Sequence, residues 1–160
     1  MTDPIPEGQE GLIPHLVCDP CGEAIEFYRR AFDAEEVGRV TQPGSGKIMH
    51  AALTIDGRAL YLCDDFPEFC AEGKARSPRA LGGSPVTVHR YVRDCDAAVE
   101  RARQAGATVQ MPPEDMFWGD RYAQVVDPFG HSWSLATHVR EVDPDEMTQA
   151  MAGMAPDHDG

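Results

Sequence analysis

The apolar positions of this chain change period twice, in the same order each time. Leu12–Cys18 and Val86–Val92 are short apolar runs with β-branched residues, which predicts a strand at each. Behind the first strand, Ala24, Ile25, Phe27, Tyr28, Ala31 and Phe32 recur at the spacing of one helix face. Asp19 is placed to cap that helix, and Pro20 suits its opening turn. Behind the second strand a helix is expected from near Asp94, with Ala98, Val99, Ala102 and Ala105 on its apolar side and Gly106 as its C-terminal cap. Three further strands are expected in each half, at about 35–41, 47–55 and 59–64, then at about 108–111, 122–126 and 132–138.

The order is therefore β-α-β-β-β, written twice. Sliding the chain over itself by 74 residues sets His15 on His89, Ala24 on Ala98, Ile25 on Val99, Glu26 on Glu100 and Ala31 on Ala105. Such a repeat is an internal duplication of one supersecondary unit. The expected organisation is an N-terminal extension at 1–10, a first module at 11–64, a linker at 65–84, a second module at 85–139 and a tail at 140–160. Pro67, Gly73, Pro78, Gly82 and Gly83 mark the linker as a loop without elements of its own. In the tail, Asp143-Pro144-Asp145-Glu146 opens a short helix whose Met147, Met151 and Met154 are expected to pack on the parent domain. Ala155–Gly160 read as a frayed end.

Length and charge then narrow the function classes. A chain of 160 residues can bury a core without metals or disulfides to hold it together. Its net charge of −13 repels phosphate, so no nucleic-acid partner is expected. The same charge suits a solvated acidic surface first and a cationic ligand second. Met1-Thr2-Asp3-Pro4 has neither a basic nor an apolar leader region, and no apolar run approaches the roughly 20 residues that span a membrane. A cytoplasmic protein with no membrane partner is the expectation. The five cysteines then read as reduced thiols. Cys18-x-x-Cys21 lacks the second pair that a zinc ribbon requires.

Asp127-Pro128-Phe129-Gly130 is a turn signal between the last two strands, since Pro presets one backbone angle and Gly supplies another. A D-P-x-G turn ahead of a final strand, following the stretch Asp115–Tyr122, resembles the vicinal-oxygen-chelate superfamily, its glyoxalase/bleomycin-resistance branch and, within that, the PhnB-like members. The resemblance implies an α+β fold in which two βαβββ modules form a curved mixed sheet around a cavity, with both helices on the convex side, in a homodimer. It also implies a divalent metal held on His, Glu or Gln side chains, acting as a Lewis acid on vicinal substrate oxygens. The corresponding positions fall near Ile13, on Thr87, on Ser134 (four places after Gly130) and somewhere in Leu60–Asp64. Ile cannot ligate a metal, and Thr and Ser hydroxyls are poor ligands beside imidazole and carboxylate. No metal and no other cofactor is therefore expected.

His15 and His89 each lie two residues beyond such a position, so alternation puts both on the cavity face. Imidazole there suits hydrogen bonding to a ligand or acid–base work; a half-buried structural histidine is the plainer reading. Trp118 and Tyr122 flank Gly119-Asp120-Arg121, where aromatic groups can stack on a flat ligand and Arg121 can pair with an anion or pin the loop. Trp133 alternates away from that face, and nothing marks Cys63 as an activated thiolate. The ligand-binding set expected is His15, His89, Trp118, Tyr122 and Ser134. Three functions compete. One is metal-independent binding of a small aromatic or cationic molecule. Another is a lyase, isomerase or dioxygenase with a non-standard metal site, to which His50, His131 or His138 could contribute, or with acid–base catalysis by His15 or His89. The last is an interaction module whose cavity is filled by its own side chains. Fold does not choose among them.

Overall fold

The computed structural model describes residues 2–154. The segment Ala155–Gly160, expected to fray, lies outside them. The first module comprises β1 (His15–Val17), α1 (Cys21–Phe32), β2 (Glu35–Thr41), β3 (Ile48–Ile55) and β4 (Arg58–Cys63). The second comprises β5 (Thr87–Tyr91), α3 (Cys95–Ala105), β6 (Thr108–Asp115), β7 (Asp120–Val126) and β8 (Ser132–His138). The linker is not featureless: it holds two single 3-10 turns and a four-residue helix, α2 (Pro78–Leu81), started by its proline. Buried Asp65 ties it down, accepting from the backbone N–H groups of Arg76 and Ser77 at 2.7–3.0 Å. A last helix, α4 (Pro144–Ala152), follows the second module.

Each module is a four-stranded mixed sheet, in the orders β1-β4-β3-β2 and β5-β8-β7-β6. Its first strand runs parallel to its last, and the remaining pairs are antiparallel. The duplicated α+β architecture is thus the one expected. Two strands depart from their expected lengths. β1 starts at His15 rather than Leu12, because Pro14 has no N–H for a ladder; its carbonyl still accepts from Tyr61 at 2.9 Å. β6 runs on to Asp115 through Pro112 and Pro113, which a strand tolerates at a sheet edge, with register shifts on either side of Met111.

The two modules share one core. Trp133 of β8, 1% exposed, packs against Tyr28 and Phe32 of α1 at ring separations of 5.4 and 4.7 Å. Phe129 meets Phe27 at 6.3 Å. Each such ring contributes about 1.5–3 kcal/mol by leaving water, and here that burial couples modules far apart in sequence.

An adjacent aspartate caps the start of α3 and of α4. Asp94 accepts from the N–H of Ala97 at 2.9 Å, and Asp143 accepts from Asp145 and Glu146 at 2.8 and 3.0 Å. Asp19 does not cap α1. Asp64, at the end of the neighbouring strand, accepts from the N–H of Cys21 at 2.8 Å and from that of Ile48 at 2.6 Å. The tail methionines also differ from expectation: Met151 and Met154 are 60% and 66% exposed, and α4 buries no residue. Polar contacts hold the tail instead, notably Arg140 to Glu146 at 2.9 Å. All five cysteines are free thiols. Burial is the main cause that pushes Cys21 up to about 12 and Cys95 up to about 11, so both stay protonated and inert at neutral pH. No described helix is long and apolar enough to cross a membrane.

Candidate functional site

Alternation along β5, β7 and β8 sorts residues onto two faces. Ala123, Val125, Trp133 and Leu135 turn toward the helices and are buried. His89, Tyr91, Tyr122, Gln124, Ser134, Ala136 and His138 share the opposite, open face. Register then sets them in rows: His89, Ser134 and Gln124 lie side by side, as do Tyr91, Ala136 and Tyr122, and Asp120 stands opposite His138.

Hydrogen bonds join these rows into one cluster. His89 Nδ1 lies 2.7 Å from Ser134 Oγ, and Ser134 is only 2% exposed, so the imidazole covers the serine rather than leaving room over it. The Tyr122 ring lies nearly parallel to His89, 17° apart in plane, with 6.2 Å between centroids. Gln124 Nε2 donates to the Tyr122 hydroxyl at 3.0 Å, and Trp118 meets Tyr122 edge-on at 5.6 Å. Buried Asp120 is the hub of the other half. One of its oxygens accepts from the Tyr91 hydroxyl at 2.9 Å and from Trp118 Nε1 at 3.1 Å, and the other lies 2.9 Å from His138 Nδ1. The loop bearing Trp118 is thus anchored through its own indole N–H. Arg121 takes no part: it pairs with Asp115 at 3.1 Å and with Asp96 at 2.7 Å, pinning the loop to α3.

Of the five residues read from the sequence, four gather here: His89, Trp118, Tyr122 and Ser134. His15 stands in a smaller cluster on the first module, with its ring 6.0 Å from His50 and 6.1 Å from Tyr61. Burial, followed by the nearby His50 and Arg76, holds His15 below the usual imidazole range and therefore neutral. The Tyr61 hydroxyl is already engaged, donating to Gln9 of the N-terminal extension at 2.5 Å. Sequence reading missed Tyr91, Asp120 and Gln124 as site residues and left the face of His138 open. All four were reachable by counting in twos: Tyr91 from His89, Asp120 and Gln124 from Tyr122, His138 from Ser134.

Strand register sets the neighbours of Thr87, Ser134 and the β4 stretch within Leu60–Asp64. Ile13 precedes β1 and Thr87 lies opposite Ser132, whereas Tyr61 and Ser134 face His15 and His89. His15 and His89 stand on separate sheets, and the Ser134 hydroxyl is already bonded to His89. Among the described residues no three His, Cys, Asp or Glu side chains are arranged to share a metal.

Asp120 and His138 titrate in opposite directions. The bond to Asp120, then Glu141, raises His138 above its usual 6.5. Burial alone would raise Asp120, but hydrogen bonds from His138, Tyr91 and Trp118 outweigh it and hold it below 3.8. A raised histidine stabilises fully below its unfolded value and loses that contribution as pH rises through its folded value; a depressed carboxylate loses its contribution as pH falls through its own. The pair therefore stabilises most between about pH 4 and the ordinary histidine value of about 6.5, and less as pH rises beyond it. Thermal unfolding of wild type and His138→Gln at about pH 6 and about pH 8 checks this. The difference between the two proteins should shrink at the higher pH, and an unchanged difference would contradict the assignment.

Comparison with known proteins shows the family and the fold. Residues 13–135 match the family model described as Glyoxalase/Bleomycin resistance protein/Dioxygenase superfamily. The Mycobacterium tuberculosis protein Rv0887c is 54% identical over 144 residues, which cover 90% of this chain and 84% of that protein. Two crystal structures share the fold. TioX from Micromonospora sp. ML1 superposes with a TM-score of 0.61 at 26% identity, covering 81% of this chain and 99% of TioX. A glyoxalase/bleomycin resistance protein/dioxygenase from Nocardioides superposes with a TM-score of 0.61 at 25% identity, covering 82% and 85% of the two chains. With nearly all of both modules inside the matched span, this chain belongs to the Glyoxalase/Bleomycin resistance protein/Dioxygenase superfamily.

Proposed function

We propose that the protein binds a small, flat molecule on the open face of its second module and that this binding does not depend on a metal. The observation that carries this reading is the convergence of Trp118, Tyr122 and His89 around buried Asp120 and Ser134. Half-buried aromatic rings offer stacking surface, and Gln124, Tyr91 and His138 surround them with polar groups that orient a ligand. The acidic chain favours a neutral or cationic ligand over an anionic one at this face. A PhnB-like homodimer in the cytoplasm suits this reading, because a second copy laid over an open sheet face deepens it into a pocket.

A catalytic role is the second reading, and one observation favours it. His138 is oriented through Nδ1 by a buried carboxylate, the arrangement that prepares an imidazole as a general base.

The test is a fluorescence screen of flat aromatic and cationic compounds against wild type, Trp118→Ala and His89→Ala, with light scattering of each protein. A ligand stacked on Trp118 quenches its emission, while core Trp133 leaves a residual signal. Each substitution is expected to weaken binding about tenfold or more, the loss of roughly 1.4 kcal/mol. Equal binding by both variants would place the site elsewhere, and monomers at micromolar concentration would remove the dimer.

A further inference from the structure

The short first strand has a second consequence. β1 meets β4 only over His15–Val17, so the stretch Arg58–Leu60 of β4 has no β1 neighbour on that side. Between it and β5 lies a cleft of about 450 Å³, inside the range of about 300–1,000 Å³ typical of small-molecule sites. Its lining includes buried Ile55, Leu60 and Trp133 and half-buried Val88, which give it an apolar wall. The extension contributes Glu10, Leu12 and Pro14. The cleft is distinct from the Trp118 cluster, although His89 and Tyr91 reach both.

Arg90 is the half-buried charge of this cleft, whose rim also carries Glu10, Asp56 and Arg58. It projects from β5 toward the helix side, where its guanidinium lies over the Phe32 ring at 5.1 Å and its Nη2 donates to Asp56 at 2.5 Å. Its side chain is 14% exposed. Its Nε is buried and has no acceptor among the described residues, the only such side-chain atom among them. A buried donor on a permanent cation that lacks an acceptor is costly, and nearly all such groups are satisfied in folded proteins. A chain as acidic as this one would readily supply a carboxylate, yet only Asp56 approaches, and it is itself largely in water.

We propose that this seam between the modules binds a small apolar molecule carrying an oxyanion, with the anion held by Arg90 and the apolar part against Ile55, Leu60, Val88 and Trp133. The charge-assisted bond supplies the missing acceptor, and the planar guanidinium suits a carboxylate or phosphate equally. The site differs in ligand class and in position from the open-face site, and neither needs the other.

Calorimetric titration of the full chain with benzoate, phenyl phosphate and benzyl alcohol tests it and separates the two anion sources. At least one anion should bind one to one with a dissociation constant below about 1 mM, and benzyl alcohol about tenfold or more weakly. Arg90→Gln should weaken the anion about tenfold and leave benzyl alcohol unchanged. Ala59→Phe, which keeps Arg90 but fills the cleft wall, should abolish binding of all three. Trp118→Ala should leave anion binding as in wild type. The proposal is overturned if neither anion binds wild type, if Arg90→Gln binds as wild type does, or if Trp118→Ala removes the anion. Should Arg90→Gln fail to fold, Ala59→Phe decides alone, and unchanged affinity in it overturns the site.

Discussion

Replacing Asp127 with Ala is expected to cost about 3–5 kcal/mol of folding stability, which is roughly 8–15 °C in the thermal midpoint of a chain this size. The reason lies in how many donors one buried carboxylate satisfies. Asp127 is 3% exposed. One oxygen accepts from the backbone N–H groups of Phe129 and His131 at 2.9 and 3.0 Å, which closes the Asp-Pro-Phe-Gly turn. The other accepts from the Tyr28 hydroxyl at 2.6 Å and from Trp133 Nε1 at 2.9 Å. Burial, followed by nearby Cys18 and Asp127, keeps Tyr28 protonated well beyond neutral pH, so it remains a donor. Truncation strands all four donors in the shared core, and a buried donor without a partner is costlier than a bond never made. Asp127→Asn should recover little, because its amide nitrogen must face N–H or O–H donors at one of the two positions. Tyr28→Phe, which deletes one donor and keeps the ring, should cost only about 1–2 kcal/mol. Chemical denaturation monitored by circular dichroism ranks the three. An Asp127→Ala cost within about 1 kcal/mol of wild type would show that water reaches the stranded groups.

Gly119→Ala should be the second large effect, about 2–4 kcal/mol, felt locally rather than through the whole core. Gly119 has a φ of +98°, where a side chain is strained, and a Cβ there would lie 2.2 Å from the backbone oxygen of Arg140 and 3.0 Å from Val142. The same glycine's carbonyl accepts from the N–H groups of Val139 and Arg140 at 2.9 and 3.1 Å, so the chain beyond β8 is strapped across the aromatic loop. Relieving the clash breaks that strap and frees Trp118. Amide exchange should rise at residues 117–119 and 139–142, with weaker stacking of any ligand on Trp118. Gly44→Ala is the control. Its φ is +86°, but nothing lies within 4 Å of a Cβ there, so it should cost about 1 kcal/mol from backbone strain alone. Equal losses in the two variants would mean that the contact with Arg140 yields easily.

Local periodicity was enough to place the repeated elements. β2 and β8 begin and end where the alternation of their residues says they should, and Asp94 and Gly106 bound α3 by chemistry confined to neighbours within a few residues. The Asp127 turn and the open face of His89 and Ser134 were legible for the same reason: a turn and a strand face are set by adjacent residues. What the sequence alone could not decide depends on groups distant along the chain. Asp64 caps α1 from 43 residues away in place of adjacent Asp19. Tyr28 reaches Asp127 across 99 residues, making a turn residue the bond between two modules. Arg121, chemically suited to an anion, is consumed by Asp96 of α3. His15 and His89 match in the repeat, yet they lie on different sheets with different neighbours, because duplication copies a position within a module and not its surroundings. Sequence determined the repeated elements, their order and the face each of their side chains takes; tertiary packing shaped the linker and decided which donors and acceptors were left free to meet a ligand, since that depends on every partner the fold brings within about 3 Å.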